Sequence, residues 1–144
     1  MSTTEMGETT EGASMECPVV VVVDDDQEFL EELEELIRSS GYEVKAVSDP
    51  LRAVAVIEET RPDAVLLDLK MDEKDGFEIA GELSKNPATA AIPVIVMTGY
   101  YDEVKLEELR SSGLVRSFLT KPLALPDLMA KLEGIRGLHE PEDR

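Results

Sequence analysis

Carboxylates stand in this chain where apolar runs stop. Five valines, Val19 to Val23, pass directly into Asp24, Asp25 and Asp26, and Ala64 to Leu67 pass into Asp68. A hydroxyl, Thr98, closes the apolar run from Ile92 to Met97, and an ammonium, Lys121, stands two residues past the segment from Val115 to Leu119. Grouped carboxylates are costly, because two of them about 4 Å apart repel by roughly 4 kcal/mol at an effective dielectric near 20. If these acids meet, a cation must compensate them. The hydroxyl and the ammonium would then face such a cluster.

The elements that must position these groups are legible in the spacing. β-branched residues are stiff at χ1 and fit a pleated sheet, and an apolar run without alternation indicates a strand covered on both faces. Val19–Val23 is therefore a central strand. Phe29, Leu30, Leu33, Leu36 and Ile37 then recur at helical spacing, with Asp26 placed to cap the helix, glutamates filling the other face and Gly41 as its stop. Tyr42 to Val47 alternates as a second strand. Asp49-Pro50 opens a second helix, with Pro in the first turn, and Arg61-Pro62-Asp63 breaks it. Ala64–Asp68 is a third strand. Asp75-Gly76 closes a polar loop before a third helix marked by Phe77, Ala80 and Leu83, and Asn86-Pro87 ends that helix. The fourth strand spans Ile92 to Thr98, with Pro93 near its start, where a missing N–H does least harm. A polar fourth helix is expected from Asp102 to Ser112, a short fifth strand from Val115 to Leu119, and a last helix from Pro126 to about Arg136, with fraying from about Gly137.

Strands alternating with helices imply an α/β fold, a (βα)₅ doubly wound parallel five-stranded sheet with helices on both faces. All strand carboxyl ends then lie on one edge. With flavodoxin-like order 2-1-3-4-5, the first and third strands are neighbours at the switch point, so Asp24, Asp25 and Asp68 converge with Thr98 and Lys121 facing them. Residues 1–16 are expected to be a disordered leader, residues 17–137 one folded domain and residues 138–144 a short polar tail.

With 14 basic and 32 acidic residues the formal charge is −18, of which about −12 falls on the body between the acidic ends. Such a body disfavours nucleic acid and anionic membrane as partners and suits basic or mixed-charge protein surfaces. Cys17 is the lone cysteine, so neither an internal disulfide nor a zinc cluster is available, and a reducing cytoplasmic setting is the simplest expectation. The run from Cys17 to Val23 is too short to span a bilayer.

The ordered set Val23-Asp24-Asp25, Pro62-Asp63 to Leu67-Asp68, Asp75-Gly76-Phe77-Glu78, Met97-Thr98-Gly99 and Phe118-Leu119-Thr120-Lys121-Pro122 resembles a response-regulator receiver domain over roughly residues 18–136. The resemblance implies a phosphoprotein of two-component or phosphorelay signalling. Asp68 would be the phosphoryl acceptor, a role a carboxylate can fill. Asp25, Asp68 and the backbone carbonyl of Lys70 would ligate Mg²⁺ (or Mn²⁺), with Asp24 acting through a water. Lys121 and Thr98 would hold phosphoryl oxygens. Phe118 would swing inward as Thr98 moves, repacking the face of the fourth helix, fifth strand and fifth helix that downstream proteins read. Lys121-Pro122 would be a cis peptide. Lys70 and Tyr100, two residues after the acceptor and after the threonine, would tune dephosphorylation, a bulky Tyr100 screening the phosphoryl group from water.

The implied partners are a sensor histidine kinase or histidine phosphotransfer protein and a downstream protein target. Nucleic acid and membrane are not expected as partners, and the oligomeric state would be a monomer or a phosphorylation-linked dimer. The expected function is that of a single-domain regulator, not an enzyme beyond its own phosphorylation and dephosphorylation. Two features depart from the family pattern. Met71-Asp72 replaces the usual Met-Pro, predicting a looser and more acidic loop, and one additional residue lies between Gly113 and Phe118. They keep open a pseudo-receiver, the same fold used as a phosphorylation-independent interaction module. A phosphatase of the haloacid-dehalogenase type shares the Asp-x-Asp spacing of Asp24 to Asp26 but would need Thr or Val where Glu28 stands.

Overall fold

The computed structural model describes residues 18–99, 107–108, 111 and 115–139. In chain order the elements are β1 (Val19–Val23), α1 (Gln27–Ser39), β2 (Glu43–Val47), a 3₁₀ turn (Pro50–Arg52), α2 (Ala53–Thr60), β3 (Ala64–Asp68), α3 (Gly76–Lys85), β4 (Val94–Thr98), β5 (Val115–Thr120) and a C-terminal helix (Leu125–His139). The strands form one sheet in the order β2-β1-β3-β4-β5, and every neighbouring pair is parallel. The expected doubly wound topology is thus observed, with β1 and β3 adjacent.

The valine run is explained by its two coverings. Val21 and Val23 face a core shared with Val65, Leu67, Val94 and Val96 under Ile57 of α2 and Ile79 and Leu83 of α3. Val20 and Val22 face the opposite core, with Leu66, Ile95 and Met97, under Leu30, Leu33 and Ile37 of α1 and Leu128, Leu132 and Ile135 of the C-terminal helix. A strand with both faces covered has no polar position to offer until it leaves the sheet, and β1 leaves it at Asp24.

Helix ends are set by local chemistry. The Asp26 carboxylate accepts from Phe29 N–H at 3.2 Å and caps α1, and Gly41 follows at φ 101°, a conformation that favours glycine. Asp49 caps the 3₁₀ turn through Leu51 N–H at 3.0 Å, so the segment that Asp49-Pro50 opens starts as a 3₁₀ turn and becomes α-helical only at Ala53. Arg61 ends α2 in the left-handed region at φ 52°, donating its N–H to the Ile57 carbonyl at 2.9 Å. Asp63 ties two strand starts together, because Val19 N–H donates to its carboxylate and its own N–H donates to the Val19 carbonyl, both at 2.8 Å.

The additional residue before Phe118 is accommodated as a bulge. Val94 pairs with Val115 but Ile95 pairs with Ser117, so Arg116 is skipped in the register, and pairing then continues from Phe118 opposite Val96 to Thr120 opposite Thr98. Side chains alternate faces along a strand, yet Val115 and Phe118, three residues apart, pack on the same core. The bulge makes this possible and keeps the β5 end in step with β4. Strand β5 runs one residue beyond the expected Leu119, and the C-terminal helix continues to His139, past the fraying expected from Gly137. In the expected fourth helix, Glu107, Glu108 and Ser111 are described and exposed, and the Ser111 hydroxyl donates to the Glu107 carbonyl at 2.9 Å, a helical i to i−4 contact. Its remaining residues, the leader 1–16 and Tyr100 lie outside the described residues.

Candidate functional site

The carboxyl edge of the sheet brings the predicted groups together. Carboxylate oxygens of Asp24, Asp25 and Asp68 lie within 4.8 Å of one another. Asp24 and Asp68 are buried, 1% and 5% exposed, and Asp25 is on the surface. Thr98, also buried, ends β4 beside β3, where Asp68 pairs with Met97. Lys121 follows β5 and is tied back to β4 by its N–H, which donates to the Thr98 carbonyl at 3.0 Å. Its ammonium lies 2.6 Å from Asp24 Oδ2 and 3.2 Å from Asp68 Oδ1. The Lys121-Pro122 peptide is cis, as expected.

Each acid is oriented by a different neighbour. Asp26 N–H donates to Asp24 Oδ1 at 2.9 Å, so Asp24 is held between a backbone donor and the ammonium. Asp25 Oδ2 accepts from Asp72 N–H at 3.2 Å. A proline at 72 would have no N–H to make this bond. Met71 beside it is buried in the core under α2 and α3, and the loop ends in a reciprocal cap, with Glu78 N–H donating to Asp75 Oδ1 at 2.9 Å and Asp75 N–H to Glu78 Oε1 at 3.2 Å. Gly76 is required by close approach. A Cβ there would collide with the Asp68 carbonyl oxygen and lie 2.8 Å from Leu69 Cα, so its absence lets α3 start against the backbone that carries Asp68.

The electrostatics follow from burial. Desolvation pushes the Asp68 carboxyl up to about 6, Asp24 adds to that rise, and the Lys121 ammonium offsets only part of it. For Lys121, burial opposes the charge, but the hydrogen bond to Asp24 and the charges of Asp68 and Asp24 outweigh it, so its ammonium is held above the usual lysine range. One ammonium therefore serves two buried acids, and Asp25 adds a third negative charge. An all-oxygen donor set with charge in excess of its ammonium fits a hard divalent cation such as Mg²⁺.

Phe118 is half-buried on the core under α2 and α3. Lys70 is exposed, two residues past Asp68. Sequence reasoning missed two participants. The Asp72 amide has no side-chain signature, because a backbone donor is invisible in residue type. Phe29 was counted only as part of the apolar face of α1, yet its ring centroid lies 4.3 Å from the Lys121 ammonium. Its position one helical turn past the Asp25-Asp26 pair was the available signal.

Comparisons with known proteins identify the family. The family model described as Response regulator receiver domain matches residues 20–133. The chain belongs to the response-regulator receiver family. Among curated relatives, Response regulator MprA of Mycobacterium avium (strain 104) is 32% identical over 124 residues, covering 86% of this chain and 53% of that protein. Transcriptional regulatory protein PdtaR of Mycobacterium tuberculosis is 29% identical over 128 residues, covering 88% of this chain and 60% of that protein. The chain thus spans little more than half the length of these relatives. Among solved structures, chemotaxis protein CheY4 of Vibrio cholerae superposes with TM-score 0.76 at 23% identity, covering 83% of this chain and 99% of that one, a likeness of fold. The receiver domain of sensor histidine kinase PA1611 from Pseudomonas aeruginosa PAO1 superposes with TM-score 0.76 at 26% identity, over 85% of this chain and 99% of that one, and holds a magnesium ion in its active site cleft. Receivers of this family act in two-component, phosphorylation-based signalling. No helix among the described residues is long and apolar enough to cross a membrane.

Proposed function

We propose that this receiver accepts a phosphoryl group on Asp68 from a histidine kinase or a histidine phosphotransfer protein and signals through protein contacts. The observation that carries the reading is the meeting of Asp68 with Asp24, Asp25 and the Lys121 ammonium at one sheet edge. An Asp68 carboxylate oxygen attacks the donor phosphorus. A P–O bond forms, the P–N bond to the donor imidazole breaks, and the imidazole leaves with the bond's electrons, taking a proton if it was deprotonated. Asp25, Asp68 and the Lys70 carbonyl would hold Mg²⁺ (or Mn²⁺), with Asp24 acting through a water, and the bound cation would neutralise charge on the phosphoryl oxygens. Lys121 and Thr98 bind those oxygens, the ammonium shifting from its carboxylates to the new anion.

Phe118 and Thr98 carry the change to the face of the expected fourth helix, β5 and the C-terminal helix, where the downstream protein docks. That face carries a cleft of about 520 Å³ lined by Phe118, Thr120, Asp127 and Lys131 among others, which supports the reading. The chain's catalysis is confined to its own phosphorylation and dephosphorylation, with Lys70 and Tyr100 setting the lifetime. A Tyr100→Ala variant should lose phosphate faster than wild type, and an unchanged lifetime would remove Tyr100 from this role. The acidic body supports a protein partner, in a cytoplasmic setting, over nucleic acid or membrane. Borohydride reduction of the phosphorylated protein, followed by peptide mass analysis, tests the acceptor. Reduction at position 68 is expected, and reduction confined to another residue refutes the assignment.

A further inference from the structure

The ring of Phe29 lies against the Lys121 ammonium and carries neither charge nor hydrogen-bonding group. We propose that Phe29 is a positioning residue for Lys121, its π face holding the ammonium beside the carboxylates while the ammonium changes anionic partner. The proposal rests on the reading of Lys121 as a phosphoryl-binding group.

Phe29 stands in the first turn of α1, where its N–H donates to the capping Asp26 carboxylate at 3.2 Å, so the cap that starts the helix also fixes the backbone that carries the ring. The ring is half-buried against the core formed by α1 and the C-terminal helix. The ammonium lies 4.3 Å from the ring centroid, 2.6 Å from Asp24 and 3.2 Å from Asp68. A cation within about 6 Å of an aromatic centroid is attracted by the ring quadrupole. Hydrogen bonds to Asp24 and Asp68 are directional and must rearrange when Asp68 gains a phosphoryl group. Attraction to a ring face needs no particular N–H direction, so it persists through that rearrangement as long as the ammonium stays over the face. The ring also keeps water off one side of the ammonium, which strengthens its attraction to anions on the other. A leucine at 29 would preserve the apolar packing and lose the attraction. A tyrosine would keep both.

The test separates contact from function. In metal-free protein, a double-mutant cycle of Phe29→Leu and Lys121→Met read by urea unfolding should show coupling of about two- to fivefold in the folding equilibrium constant, the equivalent of an exposed to half-buried cation–π contact. With Mg²⁺ and acetyl phosphate, Phe29→Leu should take up its phosphoryl group about two- to fivefold more slowly than wild type, and Phe29→Tyr should restore the wild-type rate. An additive cycle overturns the proposal, as does a Phe29→Tyr variant as slow as Phe29→Leu, which would reduce the ring to packing. A wild-type protein that takes no phosphoryl group overturns the phosphoacceptor reading and this role with it, even where the cycle shows the contact.

Discussion

As the proposed phosphoryl acceptor, Asp68 bears two opposed demands, since that role needs it buried enough to exclude water from its chemistry and ionised enough to attack. Its carboxyl sits at about 6 because burial and Asp24 outweigh Lys121. An acid whose folded value lies above its unfolded value destabilises the fold once it ionises. The penalty is absent below the unfolded value near 4, grows through the window up to about 6 and is complete above it. Asp68→Asn should therefore be more stable than wild type in chelator at pH 8, and the advantage should vanish near pH 4. Urea unfolding of both proteins at the two pH values checks this, and an equal advantage at both would sink the burial argument. Asp72 makes a second residue-scale prediction. Proline at 72 removes the N–H that holds Asp25, whereas alanine keeps it. By the size of a single hydrogen bond, Asp72→Pro should bind Mg²⁺ about two- to tenfold more weakly than Asp72→Ala in titration calorimetry. At this scale the sequence showed side-chain chemistry well. The five groups at the strand ends were legible from type and position, but the amide of Asp72 and the ring of Phe29 act through backbone and proximity, which residue type does not encode.

At the scale of elements, the site depends on helix α3 beginning tight against the end of β3. Gly76→Ala places a Cβ against the Asp68 carbonyl oxygen and Leu69 Cα, and both are backbone atoms that cannot yield by changing rotamer. A cost of about 1–3 kcal/mol is expected from the overpacking, with slower phosphorylation because the displaced backbone is that of Asp68 itself. A lower urea midpoint together with slower labelling by acetyl phosphate would bear this out, and a variant unchanged in both would show that α3 can shift without cost. The strand and helix pattern was legible because β1 and β3 are covered on both faces and read as unbroken apolar runs, and because Asp26, Gly41 and Asp75 are strong end signals. The start of α2 was less so, since a 3₁₀ turn and an α-helix share the Asp-Pro opening and differ only in hydrogen-bond pattern. The bulge at Arg116 was visible only as a length anomaly. Its structural meaning needed the β4 register, a non-local fact that a single strand's sequence does not carry.

For the whole molecule, five parallel strands place every carboxyl end on one edge, so groups from Asp24 to Lys121, 97 residues apart in sequence, share a site. Topology concentrates negative charge there on a chain that already carries −18. Long-range charge raises local cation concentration and is screened by salt, so Mg²⁺ affinity should fall severalfold between low and high NaCl. Affinity independent of NaCl would confine the attraction to the direct ligands. The most direct measurement is intact mass after incubation with acetyl phosphate, for wild type and Asp68→Asn, each with Mg²⁺ and with chelator. One added phosphoryl group on wild type, absent in chelator and absent from Asp68→Asn, is the expected result. No adduct on wild type with Mg²⁺ present, or an equal adduct on Asp68→Asn, contradicts Asp68 as the phosphoryl acceptor.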